Sequence, residues 1–273
     1  MNAEEQLNME PAEEIKNNQH SAPDKNAAAG GELVVDIKGL HKEFENKTVL
    51  KDINLTVAKG ESLVIMGKSG TGKSVLIKCI VRLLDADKGS INILGKEITS
   101  LNDKELNDMR KRIGFLFQSA ALYDSMTVRE NLEFPLRDLK KDKAELDTKV
   151  KEALENVGLG EAIDKMPAEL SGGMRKRVGL ARTLILQPEL ILFDEPNTGL
   201  DPITTREISH LIVDLQKKSQ SSSIVITHDA VCAKIIGNRI MIIDEGVCVA
   251  EGTYEELEHS ENKWVRSFFS QAV

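Results

Sequence analysis

The segment Gly67-Lys68-Ser69-Gly70-Thr71-Gly72-Lys73-Ser74 constrains this chain more than any other stretch. It satisfies G-x-x-x-x-G-K-[ST] at every fixed position, a pattern that carries meaning only between a strand and a helix. Both neighbours are legible. Leu63-Val64-Ile65-Met66 is an apolar run of strand length, and Val75-Leu76-Ile77-Lys78-Cys79-Ile80 reads as the following helix. Gly67, Gly70 and Gly72 let the main chain wrap closely around a polyphosphate. The N–H groups and positive dipole end of the helix then face negative charge. In that frame Lys73 reaches the β- and γ-phosphates and the Ser74 hydroxyl binds Mg²⁺. The duller reading, a glycine-rich turn without function, leaves the flanking strand and helix unexplained.

A length of 273 residues with 41% hydrophobic content suits one large α/β domain, or one domain with an insertion. No apolar run approaches the about 20 residues that span a membrane, so a soluble or peripheral protein is expected. The net charge of −8 argues against broad nucleic-acid binding. Cys79, Cys232 and Cys248 lack metal-ligand spacing and read as reduced thiols in a cytosolic protein. Residues 1–31 carry few bulky apolar side chains and close on Ala27-Ala28-Ala29-Gly30-Gly31. They are expected to form a disordered tail. With acidic residues and no apolar core segment, that tail resembles neither a signal nor a transit peptide.

Beyond the tail, Leu33–Ile37, Thr48–Val57, Glu61–Met66 and Gly89–Leu94 read as strands, with a turn at Lys59-Gly60. Between Gln118 and Leu170 the periodicity becomes helical, in Met126–Leu136 and Lys143–Val157, which predicts a helical insertion over about residues 119–170. Next come a helix (Gly172–Leu186), a strand (Leu190–Phe193), a helix (Pro202–Lys218), a strand (Ser223–Thr227) and a helix (Asp229–Ile236). Arg239–Asp244 and Val247–Glu251 flank Glu245-Gly246 as a hairpin. Strand–helix alternation implies a mainly parallel sheet covered on both faces.

Two further segments carry chemistry. Leu190-Ile191-Leu192-Phe193 runs into Asp194-Glu195, so a buried strand delivers two carboxylates beside the P-loop. Asp194 is then placed to hold Mg²⁺, directly or through water. Glu195 is placed to act as general base on the attacking water, worth about 10²–10⁴-fold in rate. Leu170-Ser171-Gly172-Gly173-Met174 opens a helix, with Ser171 as N-cap and two glycines exposing N–H groups. That is a second phosphate-binding end. One chain rarely needs two such ends for one nucleotide, which implies that two chains share each site.

In these motifs the chain resembles the ATP-binding cassette (ABC) ATPases over about residues 33–257. Gly67–Ser74 matches Walker A, Gln118 the Q-loop glutamine, Leu170–Met174 the signature and Leu190–Glu195 Walker B. Gly199-Leu200-Asp201 matches the D-loop and His228 the switch histidine. The resemblance implies an α/β fold: a P-loop NTPase core of ABC ATPase type, with an N-terminal antiparallel β subdomain and a helical insertion. The implied layout is a tail (1–31), an ATPase domain (32–257) and a C-terminal aromatic helix or tail (258–273). It also implies ATP hydrolysis by a head-to-tail pair of copies. ATP lies between Walker A of one copy and Ser171, Gly172 and Gly173 of the other, with Asp201 nearby. His228 contacts the γ-phosphate, Gln118 senses Mg²⁺, and Phe44 stacks on adenine.

Departures from the usual family pattern narrow the resemblance. Met174 stands where a glutamine is usual, which leaves a ribose contact by that side chain unsupported and the Ser171 and backbone contacts intact. With Arg175-Lys176-Arg177 and Asp201-Pro202-Ile203-Thr204, it looks like the ATPases of Mla/Mce-type phospholipid transporters. Such a protein is peripheral to the cytoplasmic face of the inner membrane. It works with a permease, a lipid-binding partner and small regulatory subunits, and not with nucleic acid. The basic run reads as a solvated helix face, or as a patch that steers ATP or faces acidic lipid. Ala120–Thr127 lies where relatives dock the permease's coupling helix; its alternative is ordinary core. Trp264, Val265, Phe268 and Phe269 fall at helical spacing, for packing on the parent domain or docking on a second copy. An ATPase serving another permease, for an amino acid or ion, is the alternative. A non-transport ATPase is a third reading, against which stand the single signature and the lack of sustained heptads between residues 74 and 194.

Overall fold

The structure, a computed structural model, describes residues 31–45, 47–139 and 142–270. The expected tail lies outside these residues except for Gly31. The chain opens with β1 (Leu33–Phe44) and β2 (Lys47–Ala58), followed by β3 (Ser62–Met66) and α1 (Lys73–Ile80). Then come β4 (Lys88–Ile93), the two-residue β5 (Lys96–Glu97), α2 (Asp103–Arg110) and β6 (Ile113–Leu116). Between β6 and the next strand lie α3 (Val128–Glu133), α4 (Lys143–Glu155) and α5 (Gly172–Leu184). The rest is β7 (Leu190–Asp194), α6 (Pro202–Ser219), β8 (Ser222–Ile226), α7 (Ala230–Ile236), β9 (Arg239–Asp244), β10 (Val247–Gly252), α8 (Tyr254–Glu258) and α9 (Lys263–Ser267).

The strands form two sheets. One has the order β2-β1-β4-β5 and is antiparallel throughout. The other has the order β10-β9-β3-β8-β7-β6, parallel except for the β9–β10 hairpin. Side-chain alternation divides the core in two. Val64, Met66, Ile191, Phe193, Val225, Ile240 and Ile242 face a helical layer that includes residues of α3 to α9. Their neighbours Leu63, Ile65, Leu190, Leu192, Ile224, Ile226, Met241 and Ile243 face α1 and the antiparallel sheet. One face of the parallel sheet is thus covered largely by another sheet, and β2 and β3, joined by the Lys59-Gly60 turn, belong to different sheets.

Several boundaries differ from expectation for local reasons. β1 continues to Phe44 because bulges after Ile37 and Leu40 reset its register against β2, which breaks the alternation the sequence shows. The single helix expected at Met126–Leu136 ends at Glu133. Pro135 has no N–H to donate, and Phe134–Leu136 forms a separate tight turn. Strand β6 is only four residues long and diluted by Gly114. Helix α2 buries only Leu106 and Met109, so its signal is an Asn102/Glu105 capping box and no apolar stripe.

The strand order positions the chemistry. Because β3 lies between β9 and β8, and β8 beside β7, the carboxyl ends of β3, β7 and β8 emerge side by side. Those ends carry the P-loop, Asp194-Glu195 and Thr227-His228. Ligands bind open α/β sheets at this edge. At the other end of the chain, Val265 and Phe269 are 1% and 2% exposed and belong to the helical-side core. Phe269 meets Tyr254 edge-on at 5.1 Å, while Trp264 and Phe268 pair at 4.8 Å and stay partly exposed.

Candidate nucleotide site

Two P-loop positions admit only glycine. Gly67 has φ of +154°, and a Cβ there would lie 2.2 Å from the Ile243 carbonyl oxygen; Gly72 has φ of +101°, with Val49 O and Leu50 Cδ2 each 2.9 Å away. Lys73, at the start of α1, turns its ammonium back onto its own loop, donating to Gly67 O and Lys68 O at 2.8 Å each. Thr71 Oγ1 donates to Lys68 O at 2.9 Å and braces the same turn. Burial lowers the Lys73 pKa, and the nearby charges of Glu195 and Asp194 oppose that shift.

Asp194 ends β7 with its Oδ1 3.4 Å from the Ser74 hydroxyl, which donates to it. Burial raises the Asp194 pKa and the Glu195 charge adds to the rise, while Ser74, Lys78 and Lys73 oppose it. A hydroxyl and a carboxylate side by side form a hard-oxygen pair. Mg²⁺ suits such a pair because it keeps water and phosphate oxygens as its other ligands. Among the described residues no group of three or more His, Cys, Asp or Glu is placed to cage a metal.

Glu195 leaves the strand in the left-handed region, with φ of +51°, and its N–H donates to Ile226 O at 2.9 Å. A non-glycine residue there is strained, and such strain concentrates at sites that need a side chain aimed. Its carboxylate lies 3.0 Å (Oε1) and 2.9 Å (Oε2) from His228 Nδ1, and Thr198 Oγ1 donates to Oε2 at 3.3 Å. Gln118 follows β6 and is exposed. Phe44 is 40% exposed at the end of β1, with the Lys42 ammonium 5.1 Å from its ring centre.

The second helix end expected to bind phosphate stands apart. Ser171 caps α5 by accepting from Met174 N–H at 3.2 Å. Ser171, Gly172 and Gly173 share an open concavity with Gly199, Leu200, Asp201 and Thr204, and no residue from 67 to 74 lines it. The Asp201 carboxylate caps α6: Oδ1 accepts from the N–H groups of Ile203 and Thr204, and Oδ2 from the Thr204 hydroxyl. These bonds, the Thr204 hydroxyl first, hold Asp201 below the usual carboxylate range. Apart from Gln118 and Phe44, the expected residues therefore form two groups: Gly67–Ser74, Asp194, Glu195 and His228 in one, Ser171–Gly173 and Asp201 in the other.

The basic run is a solvated face only in part. Arg175 is exposed and donates to Leu170 O at 2.8 Å; Arg177 donates to Val157 O and pairs with Glu207 at 2.9 Å. Lys176 is only 6% exposed. Its ammonium donates to Gln118 O and, at 3.4 Å, to Glu195 O. The available signal was helical spacing, since Gly179 and Leu180 three and four positions on are buried. In the 120–127 segment, Ala120 is buried while Tyr123 is 43% exposed.

A phosphate cradle beside a strand that ends in two carboxylates defines a P-loop nucleotide hydrolase. Residues 50–198 match the family model described as ABC transporter. The chain belongs to that family as an ATP-binding, ATP-hydrolysing domain. It is 40% identical over 251 residues to the probable ribonucleotide transport ATP-binding protein mkl of Mycobacterium leprae (strain TN), covering 89% of this chain and 72% of that protein. It is 37% identical over 238 residues to the methionine import ATP-binding protein MetN of Clostridioides difficile (strain 630), covering 87% and 74%. Its fold matches the ATP-binding cassette MJ0796, a dimer in a post-hydrolysis state bound to ADP and Pi. The TM-score is 0.74 at 32% identity, over 81% of this chain and 98% of that one. No helix among the described residues is long and apolar enough to cross a membrane.

Proposed function

We propose that this ABC ATPase works as a head-to-tail pair of copies on the cytoplasmic face of the inner membrane, powering a permease that moves envelope phospholipid. The pairing of Glu195 with His228 beside the P-loop, with the Ser171 end in a separate concavity, carries the mechanistic part. ATP lies along Gly67–Ser74, its phosphates on the loop N–H groups, and Lys73 moves from its own carbonyls to the β- and γ-phosphates. Phe44 stacks on adenine. Ser74 and Asp194, with Gln118, would hold Mg²⁺, which would supply positive charge against the phosphate oxygens. Glu195 takes a proton from water as the water attacks the γ-phosphate in line, and His228 orients that carboxylate and touches the γ-phosphate. The bond to ADP breaks, with stabilisation supplied by positioning and fixed charge. The partner's copy of the Ser171–Gly173 end closes the site, beside Asp201.

The lipid reading rests on Leu170-Ser171-Gly172-Gly173-Met174 with its trailing basic residues and on Asp201-Pro202-Ile203-Thr204. The names of the relatives, ribonucleotide transport and methionine import, favour a second reading: a permease for a small polar solute. In either case the exposed Phe117 and Tyr123 supply an apolar surface for the permease. Affinity purification of the tagged protein from its own membranes, with mass spectrometry of co-purifying proteins and lipids, separates the readings. A polytopic permease with a lipid-binding partner and enriched phospholipid supports lipid transport. A permease with a solute-binding partner and no lipid moves the assignment to the second reading.

A further inference from the structure

Helix α5 joins the site along a seam, and its polar members have no role in the mechanism above. Residues 176, 179, 182 and 183 of α5 all meet the segment from Phe115 to Ala120. Arg182 donates to Ala120 O at 2.8 Å and Thr183 Oγ1 to Phe115 O at 3.4 Å. A Cβ at Gly179 would sit 2.8 Å from Ala120 Cβ, so the helix runs as close to this segment as a backbone can. Ala120 and Ala121 are themselves in the left-handed region, with φ of +61° and +46°. Lys176 ends the seam at the site, and its ammonium bridges two motifs, donating to the carbonyl of Gln118 and the carbonyl of Glu195.

We propose that Lys176 is a positioning residue of the ATPase. Its buried ammonium ties the main chain at Gln118 and at Glu195 to the helix that begins with Ser171, and so holds the Glu195 carboxylate in register with His228. The inference rests on the reading of Glu195 as the general base. The physical reason is the strain at Glu195. A residue held at positive φ relaxes unless its surroundings over-determine it; Ile226 O holds its N–H, and Thr198 N–H donates to its carbonyl at 3.3 Å. Lys176 adds a charged donor to that carbonyl from α5. Without it the Gln118 carbonyl loses the Lys176 donor and the Glu195 carbonyl, though still bonded to Thr198 N–H, loses its tie to α5, and the relaxation that follows moves the base. Small displacements of a catalytic group cost turnover much more than they cost substrate binding. The same bridge links a chain's own nucleotide site to the helix whose first turn faces the partner's nucleotide.

The test compares Lys176→Met, Lys176→Arg and wild type for kcat, KM for ATP, affinity for a fluorescent ATP analogue, and melting temperature. The expected result for Lys176→Met is a kcat lowered by about ten-fold or more, with KM and analogue affinity within about three-fold of wild type. Lys176→Arg, which keeps charge and donors, recovers turnover. Wild-type kcat in Lys176→Met overturns the proposal. So does a parallel loss of kcat, analogue affinity and melting temperature, since that marks a merely structural residue. If Lys176→Met fails to fold, Lys176→Gln is put through the same split with the same criteria. Glu195→Gln is assayed alongside. Wild-type turnover in that variant removes Glu195 as base, whereas an inactive Glu195→Gln with a fully active Lys176→Met removes only the tether.

Discussion

Glu195 and Lys73 carry opposite halves of the proposed chemistry, and their variants separate cleanly. Glu195→Gln keeps the size and the bonding partners of the side chain but cannot take a proton. Hydrolysis is expected to fall by about 10²-fold or more with ATP still bound, read by single-turnover assay beside equilibrium binding. Lys73→Ala removes the ammonium that bonds Gly67 O and Lys68 O, and with it the cation meant for the phosphates. Its expected loss is in affinity, measured by titration with a fluorescent ATP analogue; unchanged tight binding contradicts the P-loop assignment. At this scale the motif residues were readable because P-loop spacing demands specific residue types. Lys176 left only the faint signal of its helical spacing to Gly179 and Leu180. In sequence a buried lysine inside Arg175-Lys176-Arg177 looks like its neighbours, and only the close approach of α5 to Ala120 puts it out of water.

Among the elements, α6 depends on Asp201. Three donors hold its carboxylate at the first turn, and a deprotonated carboxylate accepts them best. The folded-state pKa is lowered. The stabilisation is therefore fully present above the unfolded value of about 3.9 and is lost as pH falls through the folded value. Asp201→Ala is expected to melt earlier than wild type at neutral pH, with the gap closing below about pH 3.9. Asp201→Asn keeps a good cap and is expected to show a smaller loss with little pH dependence. Thermal melts across pH, followed by circular dichroism, check both. Elements with a strong local signature, such as β3, β7, β8 and the β9–β10 hairpin, were legible within a residue or two. β6 and α2 were not, because a four-residue strand with a glycine and a helix with two buried side chains show too little periodicity.

At the scale of the molecule, each proposed ATP site needs two copies, since the two phosphate-facing groups lie apart in one chain. Glu195→Gln with ATP is expected to elute as a dimer in size-exclusion chromatography with light scattering. Adding Ser171→Arg, which fills the second end, should return it to monomer; a dimer that persists contradicts head-to-tail closure. The C-terminal segment offers an internal probe. The chain has one tryptophan, and the Trp264 ring centre lies 5.7 Å from the Lys68 ammonium in the P-loop. ATP binding is expected to change Trp264 emission, and Lys68→Ala to abolish most of that change; emission indifferent to ATP removes the contact. Val265 and Phe269 bury themselves in their own domain, which answers the packing half of the expectation for that segment.

The sequence by itself determined the P-loop, the strand that ends in Asp194-Glu195, the capped end at Ser171 and the parallel core. Each of these is written in local spacing: glycines where the chain turns tightly, apolar runs where a strand is buried on both faces, a cap residue where a helix starts. Tertiary structure alone decided three things. It covered one face of the parallel sheet with a second sheet, bringing Val49 against Gly72. It ordered the strands so that Glu195 and His228, distant in sequence, share hydrogen-bonding distance. It also drew Lys176 out of solvent to bridge Gln118 and Glu195. These three depend on contacts between distant segments, and local periodicity has no means to record them.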